Sequence, residues 1–470
     1  MITITRRLAS QLRSVLRRAF GSRGTGPVIA FIGDKAGLTV RSMFADIAIE
    51  LHVPGEQPAE NLWLPSEFLA AVEGKKDQPV ELETTSKGEV TARWQDGSVP
   101  QAVRYNANEP KGYTFPLLPE DFATNPPGLL RALHQASEVA DMESVRYATS
   151  YLQLCPDGSI NATDGRQALI QSGFVFPWSD PVLVPRSKLF HSSEFPQSEP
   201  IAIGKSGDWA VLIVGAWTLY LRLNTDGRFP DMKRVIRDPA TAKARCQLSA
   251  DDTRFLADTL PKLPCHDEQN LPVTLDVNGE VAVRARPVDQ DTPTEVVLTN
   301  SQSSGEPVRI NINRKYLRRA MQIGVQGFCL FGDDAALLGQ GENLKYIFMP
   351  LEPGAAIKPA DDCIRIESPK GETIVPVQPR KAMPVNETNS TNAKAESNAK
   401  AETNSKPRRR KVSQQDLAAL IDQAVQFRSA LHTLMQQSTG LVKALKQHRR
   451  QNRAIQSTLE SLKQLKTLGV

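Results

Sequence analysis

The stretch Gly227-Arg228-Phe229-Pro230-Asp231-Met232-Lys233-Arg234-Val235-Ile236 lies near the middle of the 470-residue chain, directly after a strand-like run at residues 217–223. Two other stretches, residues 112–116 and 345–350, end a strand-like run in a similar way. The prolines of the three endings, Pro116, Pro230 and Pro350, are separated by 114 and 120 residues. Self-similarity at a nearly fixed interval predicts a protein built of three repeated modules.

A second set of segments repeats at nearly the same intervals. In residues 62–69, 182–189 and 310–317, a short apolar strand runs directly into a helix-like segment. Leu64, Val184 and Ile312 occupy equivalent places, 120 and 128 residues apart. Short strands separated by turn residues favour antiparallel sheet, so the sequence predicts three α+β modules. Chance recurrence of a common strand–helix pattern is the alternative.

Each module also begins with an amphipathic helix. Thr5 is a typical N-cap for a helix over residues 6–20, and Ser249 opens a capping-box pattern in the third module. The second module has its counterpart at residues 128–136. The first helix has an apolar stripe at 3- and 4-residue spacing, formed by Leu8, Leu12, Val15, Leu16 and Phe20.

The chain after the third ending has a different composition. Residues 379–407 are rich in Asn, Thr, Ser, Ala and Lys, which predicts a disordered linker. Residues 412–470 carry leucines at a 3.5-residue rhythm, which predicts a basic helical tail and a possible coiled coil. We therefore expect modules at 1–121, 122–243 and 244–354, a linker at 355–411 and a tail at 412–470.

Composition excludes some classes of protein. A hydrophobic fraction of 40% and a charged fraction of 23% are typical of a globular chain, and no run of apolar residues is long enough for a membrane span. The N-terminus has no apolar core of signal-peptide length. Five widely spaced cysteines without a CxxC pair favour reduced thiols, so we expect a cytoplasmic protein.

The net charge of +5 hides a strong asymmetry. Residues 376–470 contain 17 basic and 6 acidic residues, and the first 23 residues contain six arginines and no acid. The body between these ends is therefore acidic. A DNA-binding protein of this kind must gather its basic side chains on one surface.

Four segments make the chain similar to the β sliding clamp of bacterial DNA polymerase III. They are Ser144-Val145-Arg146-Tyr147, Ala162-Thr163-Asp164-Gly165-Arg166, Gly227-Arg228-Phe229-Pro230-Asp231, and the pair formed by residues 313–317 and 346–351. None of these short motifs is specific alone, but their order and spacing match the family over residues 1–352. The resemblance implies a homodimeric ring that encircles double-stranded DNA, with helices inside and antiparallel sheets outside.

The implied DNA-binding surface consists of basic side chains on the inner helices. Contacts of this kind reach phosphates and read no bases, which lets a ring slide. The candidates are Arg6, Arg13, Arg17, Arg18, Arg131, His134, Arg254, Arg314, Lys315, Arg318 and Arg319.

The resemblance also implies a pocket between the second and third modules. In the family this pocket binds short motifs of the DNA polymerase III catalytic subunit, the clamp loader and other clamp-binding-motif proteins. The matching residues are Thr163, Gly165, Arg166, Pro230, Arg234, Val235, Met349, Pro350 and Leu351. Two features depart from the family: Gln167-Ala168 follows Arg166, so that either the loop gains a residue or Ala168 replaces an apolar wall, and Glu352 replaces a terminal arginine.

Motifs for other activities fail. Gly204-Lys205-Ser206 lacks the upstream glycine of a phosphate-binding loop, and the four consecutive residues 265–268 are poorly spaced for a metal site. No nucleophile–base pair is evident, so we expect an accessory protein, without enzymatic activity, cofactor or metal.

The leading interpretation is a DNA sliding clamp and processivity factor. Two alternatives stay open: a divergent clamp-fold scaffold, and a DNA-binding platform that works through its basic helical tail.

Overall fold

A computed structural model describes residues 1–21, 26–85, 89–106, 109–142, 147–288 and 292–370. Residues 144–146 of the Arg-Tyr motif, most of the predicted linker and the whole predicted helical tail lie outside these residues. In the part of the chain that the structure describes, no helix is long and apolar enough to cross a membrane.

The first module contains two helices and eight strands. They are β1 (Ile2–Thr5), α1 (Arg6–Phe20), β2 (Val28–Gly33), β3 (Gly37–Phe44), β4 (Ile47–Pro54), β5 (Glu60–Pro65), α2 (Phe68–Val72), β6 (Pro79–Thr84), β7 (Val90–Asp96) and β8 (Val99–Tyr105).

The second module repeats this order with one 3₁₀ helix in place of α2. Its elements are β9 (Phe122–Asn125), α3 (Gly128–Val139), β10 (Tyr151–Leu154), β11 (Ile160–Thr163), β12 (Gln167–Gln171), β13 (Val182–Pro185), the 3₁₀ helix Lys188–His191, β14 (Ile201–Ser206), β15 (Trp209–Val214) and β16 (Trp217–Arg222). Two short 3₁₀ turns, Met232–Arg234 and Pro239–Thr241, lead to the third module.

The third module adds one short strand to the repeat and a last strand after it. Its elements are β17 (Ala244–Gln247), α4 (Ala250–Thr259), the 3₁₀ turn Leu260–Lys262, β18 (Pro272–Asn278), β19 (Glu280–Ala285), β20 (Thr294–Val297), β21 (Gln302–Gly305), β22 (Val308–Asn313), α5 (Arg314–Ile323), β23 (Gly327–Leu330), β24 (Leu337–Gly341), β25 (Leu344–Phe348), the 3₁₀ turn Pro353–Ala355 and β26 (Ile364–Glu367). The strand β26 lies in the segment that the sequence assigned to the linker.

The strands form four sheets, two of which continue from one module into the next. The first sheet has the order β1-β6-β7-β8, and the last has the order β22-β18-β19-β20-β26. An eight-stranded sheet, β5-β2-β3-β4-β16-β15-β14-β9, joins the first two modules through β4 and β16. A nine-stranded sheet, β13-β10-β11-β12-β25-β24-β23-β17-β21, joins the second and third through β12 and β25. The α+β class with three repeated modules is therefore confirmed.

The first helix has the predicted bounds, Arg6–Phe20, because its start is capped as expected. The Thr5 hydroxyl accepts the Leu8 N–H at 3.0 Å. Leu12 and Val15 of the apolar stripe are buried in the core, and the basic side chains lie on the other faces of the helix. The fourth helix begins in the same way, with the Ser249 hydroxyl accepting the Asp252 N–H at 3.0 Å.

The predicted equivalence of Leu64, Val184 and Ile312 is confirmed by strand pairing. They are opposite Ile29, Leu152 and Val273 respectively, and all three are fully buried. Each is the last residue but one of the strand that precedes the second helix of its module, so each closes the core at the same place in the repeat.

Candidate DNA surface and partner pocket

Four of the predicted DNA-facing cations are available on the helices. Arg17, Arg131 and Lys315 are exposed, and Arg18 is half-buried. None of the four forms an ion pair with another described residue. Their charges are therefore free to attract an external anion such as a phosphate.

Other predicted cations are engaged within the fold. Arg6 donates to the carbonyl oxygens of Val72 and Glu73 at 3.2 and 3.1 Å and pairs with Asp96 at 3.1 Å. Arg13 forms an ion pair with Glu73. These contacts fasten α1 to the rest of its module, so these two arginines have a structural role whether or not DNA is bound.

In the third module, one predicted cation is buried within the fold. Arg314 is buried, and its guanidinium donates to the carbonyl oxygens of Leu260, Leu263 and Pro264. Burial lowers the pKa of Arg314. All three carbonyls belong to the segment that follows α4, so Arg314 holds α5 against that segment. Its charge is used within the fold and is not offered to DNA.

The remaining arginines of this module are more accessible. Arg254 is exposed and paired with Asp251. Arg318 is exposed and donates to the Ala257 carbonyl at 3.1 Å, whereas the half-buried Arg319 donates to the side chain of Gln167 at 2.9 Å. Of these three, Arg254 and Arg318 have guanidinium groups that are accessible at the surface.

His134 differs from the other members of the predicted set because it is shielded. Its ring stacks on His191, with centroids 4.3 Å apart, and its Nδ1 is buried without a hydrogen-bond partner among the described residues. Burial, followed by the nearby His191 and Arg18, lowers the pKa of His134. The imidazole is therefore neutral near pH 7 and offers no charge to DNA.

The predicted partner pocket is built around the turn between β11 and β12. The Thr163 hydroxyl donates to the Gln167 carbonyl at 2.7 Å and accepts the Gly165 N–H at 3.0 Å. Gly165 has φ +86°, a left-handed conformation that favours glycine at this point of the turn. The Arg166 carbonyl then accepts the Met349 N–H at 2.9 Å, so the turn of the second module lies beside the end of β25.

The first departure from the family pattern is Ala168. It pairs with Ile347 across the module junction and is buried in an apolar cluster with Met232. The turn keeps its hydrogen bonds, and the small Ala168 side chain belongs to the buried cluster, so we propose that it replaces the apolar wall.

The second departure, Glu352, lies where the chain leaves β25 along β22. The Leu351 N–H donates to the Asn311 carbonyl at 2.7 Å, and the Glu352 carbonyl accepts from the Asn311 amide at 3.4 Å. Pro350 is half-buried between these contacts and Met349. The backbone is thus held in place, and the Glu352 carboxylate is exposed.

Two apolar side chains of the predicted pocket are accessible. Val235 is 41% exposed and Met349 is 46% exposed. Arg234 is exposed and pairs with Asp231 at 3.1 Å. Met349 lies beside the turn at Thr163, where an exposed apolar side chain can serve as an anchor for a short peptide motif.

A cavity of about 790 Å³ lies on the same face of the nine-stranded sheet, and of the nine predicted residues only Pro230 lines it. Its apolar wall is formed by Ile170, Phe229, Met232 and Ile236. Asn161 contributes a buried Oδ1 that has no hydrogen-bond partner among the described residues. The cavity extends the accessible surface beyond the predicted pocket, and sequence reasoning missed it because its residues come from five separate segments.

Sequence reasoning also missed the polar contact that joins the two modules. Gln167 accepts hydrogen bonds from the Tyr346 hydroxyl at 2.5 Å and from Arg319 at 2.9 Å, and it donates to Asp164 at 2.8 Å. Burial raises the pKa of Tyr346, so its hydroxyl keeps the proton that it donates. The signal in the sequence is Gln167 itself, a polar residue at the start of an otherwise apolar strand, which indicates a buried hydrogen-bonding partner.

Three modules, two of them joined to the next through a continuous antiparallel sheet, define a clamp-type fold. No family model and no curated protein sequence matches the chain. Solved structures do match. The DNA polymerase III subunit beta of Pseudomonas aeruginosa superposes with a TM-score of 0.61 at 19% identity, covering 75% of this chain and 100% of that one.

Two further structures agree. The DNA polymerase sliding clamp of Bacillus subtilis gives a TM-score of 0.63 at 17% identity, over 75% of this chain and 98% of that one. The DNA polymerase III beta chain of Streptococcus pneumoniae gives 0.63 at 16% identity, over 75% and 100%. The chain therefore has the fold of the β sliding clamps, and the resemblance seen in the motifs is confirmed at the level of the fold.

Proposed function

We propose that the chain is a DNA sliding clamp, a processivity factor that encircles duplex DNA and tethers a DNA polymerase to it. The observation that carries the proposal is the threefold repeat, with sheets that continue across both internal junctions, in the fold of proteins described as sliding clamps. Two copies joined head to tail would give six modules in one ring. The role is accessory and uses no catalytic group, cofactor or metal.

The distribution of charge supports a ring around DNA. Residues 24–375 carry an excess of acidic side chains, whereas Arg17, Arg18, Arg131 and Lys315 offer unpaired positive charge on helices. Attraction between helix cations and phosphates holds DNA without recognising its sequence, and the acidic remainder discourages binding elsewhere. Contacts of this kind permit sliding.

Two exposed apolar side chains of the predicted pocket, Val235 and Met349, support the tethering role. Met349 lies at the junction of the second and third modules, beside the turn at Thr163, and this position suits a short extended peptide that inserts apolar side chains. We propose that the DNA polymerase III catalytic subunit, the clamp loader and other proteins with clamp-binding motifs dock there, and that the chain works in the cytoplasm.

The test is primer extension on a primed single-stranded circle. The polymerase and clamp loader of the same organism are supplied with ATP, and product length per binding event is measured with and without the full-length chain. The chain should lengthen the products severalfold, and a Met349→Glu variant should not. Products of equal length with and without the chain would contradict the proposed function.

A further inference from the structure

The two internal junctions of the chain follow one rule. In each, the third strand after the first helix of one module pairs antiparallel with the last strand of the repeat in the next module, which is β16 in the second module and β25 in the third. These pairs are β4 with β16 and β12 with β25, and each joins five residue pairs in register. Continued to a second copy, the rule pairs β20 of the third module with β8 of the first module of that copy.

The two strands that this rule selects differ in whether their edge is already paired. β8 is an end strand of its sheet, and its Val99 and Val103 side chains are 54% and 36% exposed. An end strand with exposed apolar side chains is suited to pairing with another chain. β20 is not an end strand, because β26 covers its edge in a parallel arrangement with Thr294 opposite Ile364.

Backbone hydrogen bonds fasten β26 along the whole edge. The Ile364 N–H donates to the Pro293 carbonyl and the Ser368 N–H to the Val297 carbonyl, each at 2.9 Å. Alternate residues of a strand direct their N–H groups to the same side. The Ile366 N–H therefore also points toward β20, whereas the Glu367 N–H points away from it.

Side chains add to this attachment. Arg365 pairs with Glu295 of β20 at 2.8 Å and with Glu280 at 3.5 Å. Ser368 is only 3% exposed, and its hydroxyl accepts the Thr299 N–H at 2.9 Å. β26 is therefore a built part of the sheet. Its charged side chains are of the kind that protect a sheet edge from further pairing.

We propose that β26 is an internal cap on the ring-closing edge, which β8 of a second copy must displace. The inference rests on the proposed function and adds a regulatory step to it. A tethered strand competes at an effective concentration on the order of millimolar, so β26 weakens ring closure at micromolar protein. Anything that draws the segment after residue 360 away from β20 would then favour the closed ring.

The test measures the dimer dissociation constant of full-length variants by light scattering over a concentration series. Ile366→Pro removes an N–H that points at β20 and should tighten the dimer by at least about tenfold, since both closures of the ring gain a free edge. Glu367→Pro is the matched control: its N–H points outward, so the dimer should keep the wild-type constant.

A second variant tests the cap without introducing a proline that could disturb folding. Arg365→Ala leaves the backbone intact, removes the pairs with Glu295 and Glu280, and should tighten the dimer by a smaller factor. Circular dichroism establishes that each variant is folded.

The possible failures can be told apart. An unchanged constant for Ile366→Pro and Arg365→Ala would overturn the cap, and so would weakening by Glu367→Pro, because β26 would then itself be the docking strand. Absence of self-association in the wild type and all variants would overturn the ring, and with it the proposed function.

Discussion

Replacing Gln167 by leucine tests the contact that joins the second and third modules. The Gln167 side-chain oxygen is the acceptor for both the Tyr346 hydroxyl and the Arg319 guanidinium, and its amide donates to Asp164. Leucine has a similar size but no hydrogen-bonding group. The variant therefore leaves a buried hydroxyl without an acceptor at the module junction.

The expected loss can be worked out from these contacts. A buried donor left unsatisfied costs about 1 to 3 kcal/mol, and this applies fully to the Tyr346 hydroxyl. Arg319 is only half-buried and can turn to water, so its lost bond adds little. We expect Gln167→Leu to lower the free energy of unfolding by about 1 to 3 kcal/mol.

A double-mutant cycle isolates the hydroxyl. Tyr346→Phe alone removes one hydrogen bond and should cost about 1 kcal/mol, but in the Gln167→Leu background it removes an unsatisfied group and should cost nothing or stabilise. The coupling free energy should then be about 1 kcal/mol or more. Gln322→Leu, at an exposed position of α5, is the matched control and should change stability by less than about 0.5 kcal/mol.

The assay is urea unfolding followed by circular dichroism, with the transition that involves the third module fitted separately, because a chain of several modules need not unfold in one step. Additive effects of Gln167→Leu and Tyr346→Phe would refute the reasoning. So would a Gln167→Leu effect as small as that of the control.

Three further predictions concern other parts of the molecule. Burial disfavours the charged form of Asp252, but hydrogen bonds from Ser301, Ser368 and Asn300 outweigh this effect and lower the pKa of Asp252. The ionised carboxylate therefore stabilises the fold above about pH 4, and this stabilisation is lost as the pH falls further. Asp252→Asn should flatten the dependence of the urea midpoint on pH in that range. Val235→Glu should abolish fluorescence-anisotropy binding of a clamp-binding-motif peptide without changing the melting temperature, whereas Val175→Glu, at an exposed position elsewhere, should leave binding intact. Arg131→Ala should reduce the slope of log affinity against log salt for duplex DNA by about 1 in a filter-binding assay, whereas Lys205→Ala, at an exposed position of strand β14, should leave it unchanged.

The sequence predicted the repeated architecture because the signals that specify it are local. A cap at Thr5, an apolar stripe and the strand–helix passages at Leu64, Val184 and Ile312 each depend on neighbouring residues. These features recur at matched intervals, and the structure confirms that they occupy equivalent places.

The features that the sequence did not predict depend on contacts between distant residues. β26 has only four residues, and its partner β20 lies about seventy positions earlier, so no local pattern distinguishes it from a linker. Arg314 was placed among the DNA-facing cations because it begins a basic helix, but the carbonyls that bind it belong to another turn.

The candidate pocket was predicted only in outline, for a similar reason. The turn at Thr163 and the end of β25 at Met349 meet as their motifs implied. That Met232 joins the buried cluster of Ala168 could not be foreseen, because it depends on how the connecting segment crosses the sheet.

Topological retention on DNA tests the central claim most directly. The full-length chain is loaded onto a nicked circular plasmid by the clamp loader of the same organism, the complex is isolated by gel filtration, and the plasmid is then cut once. A ring around DNA should stay on the circle at moderate salt and leave when the plasmid becomes linear. Equal retention on circular and linear DNA would show attachment to the surface of the duplex and would contradict the account.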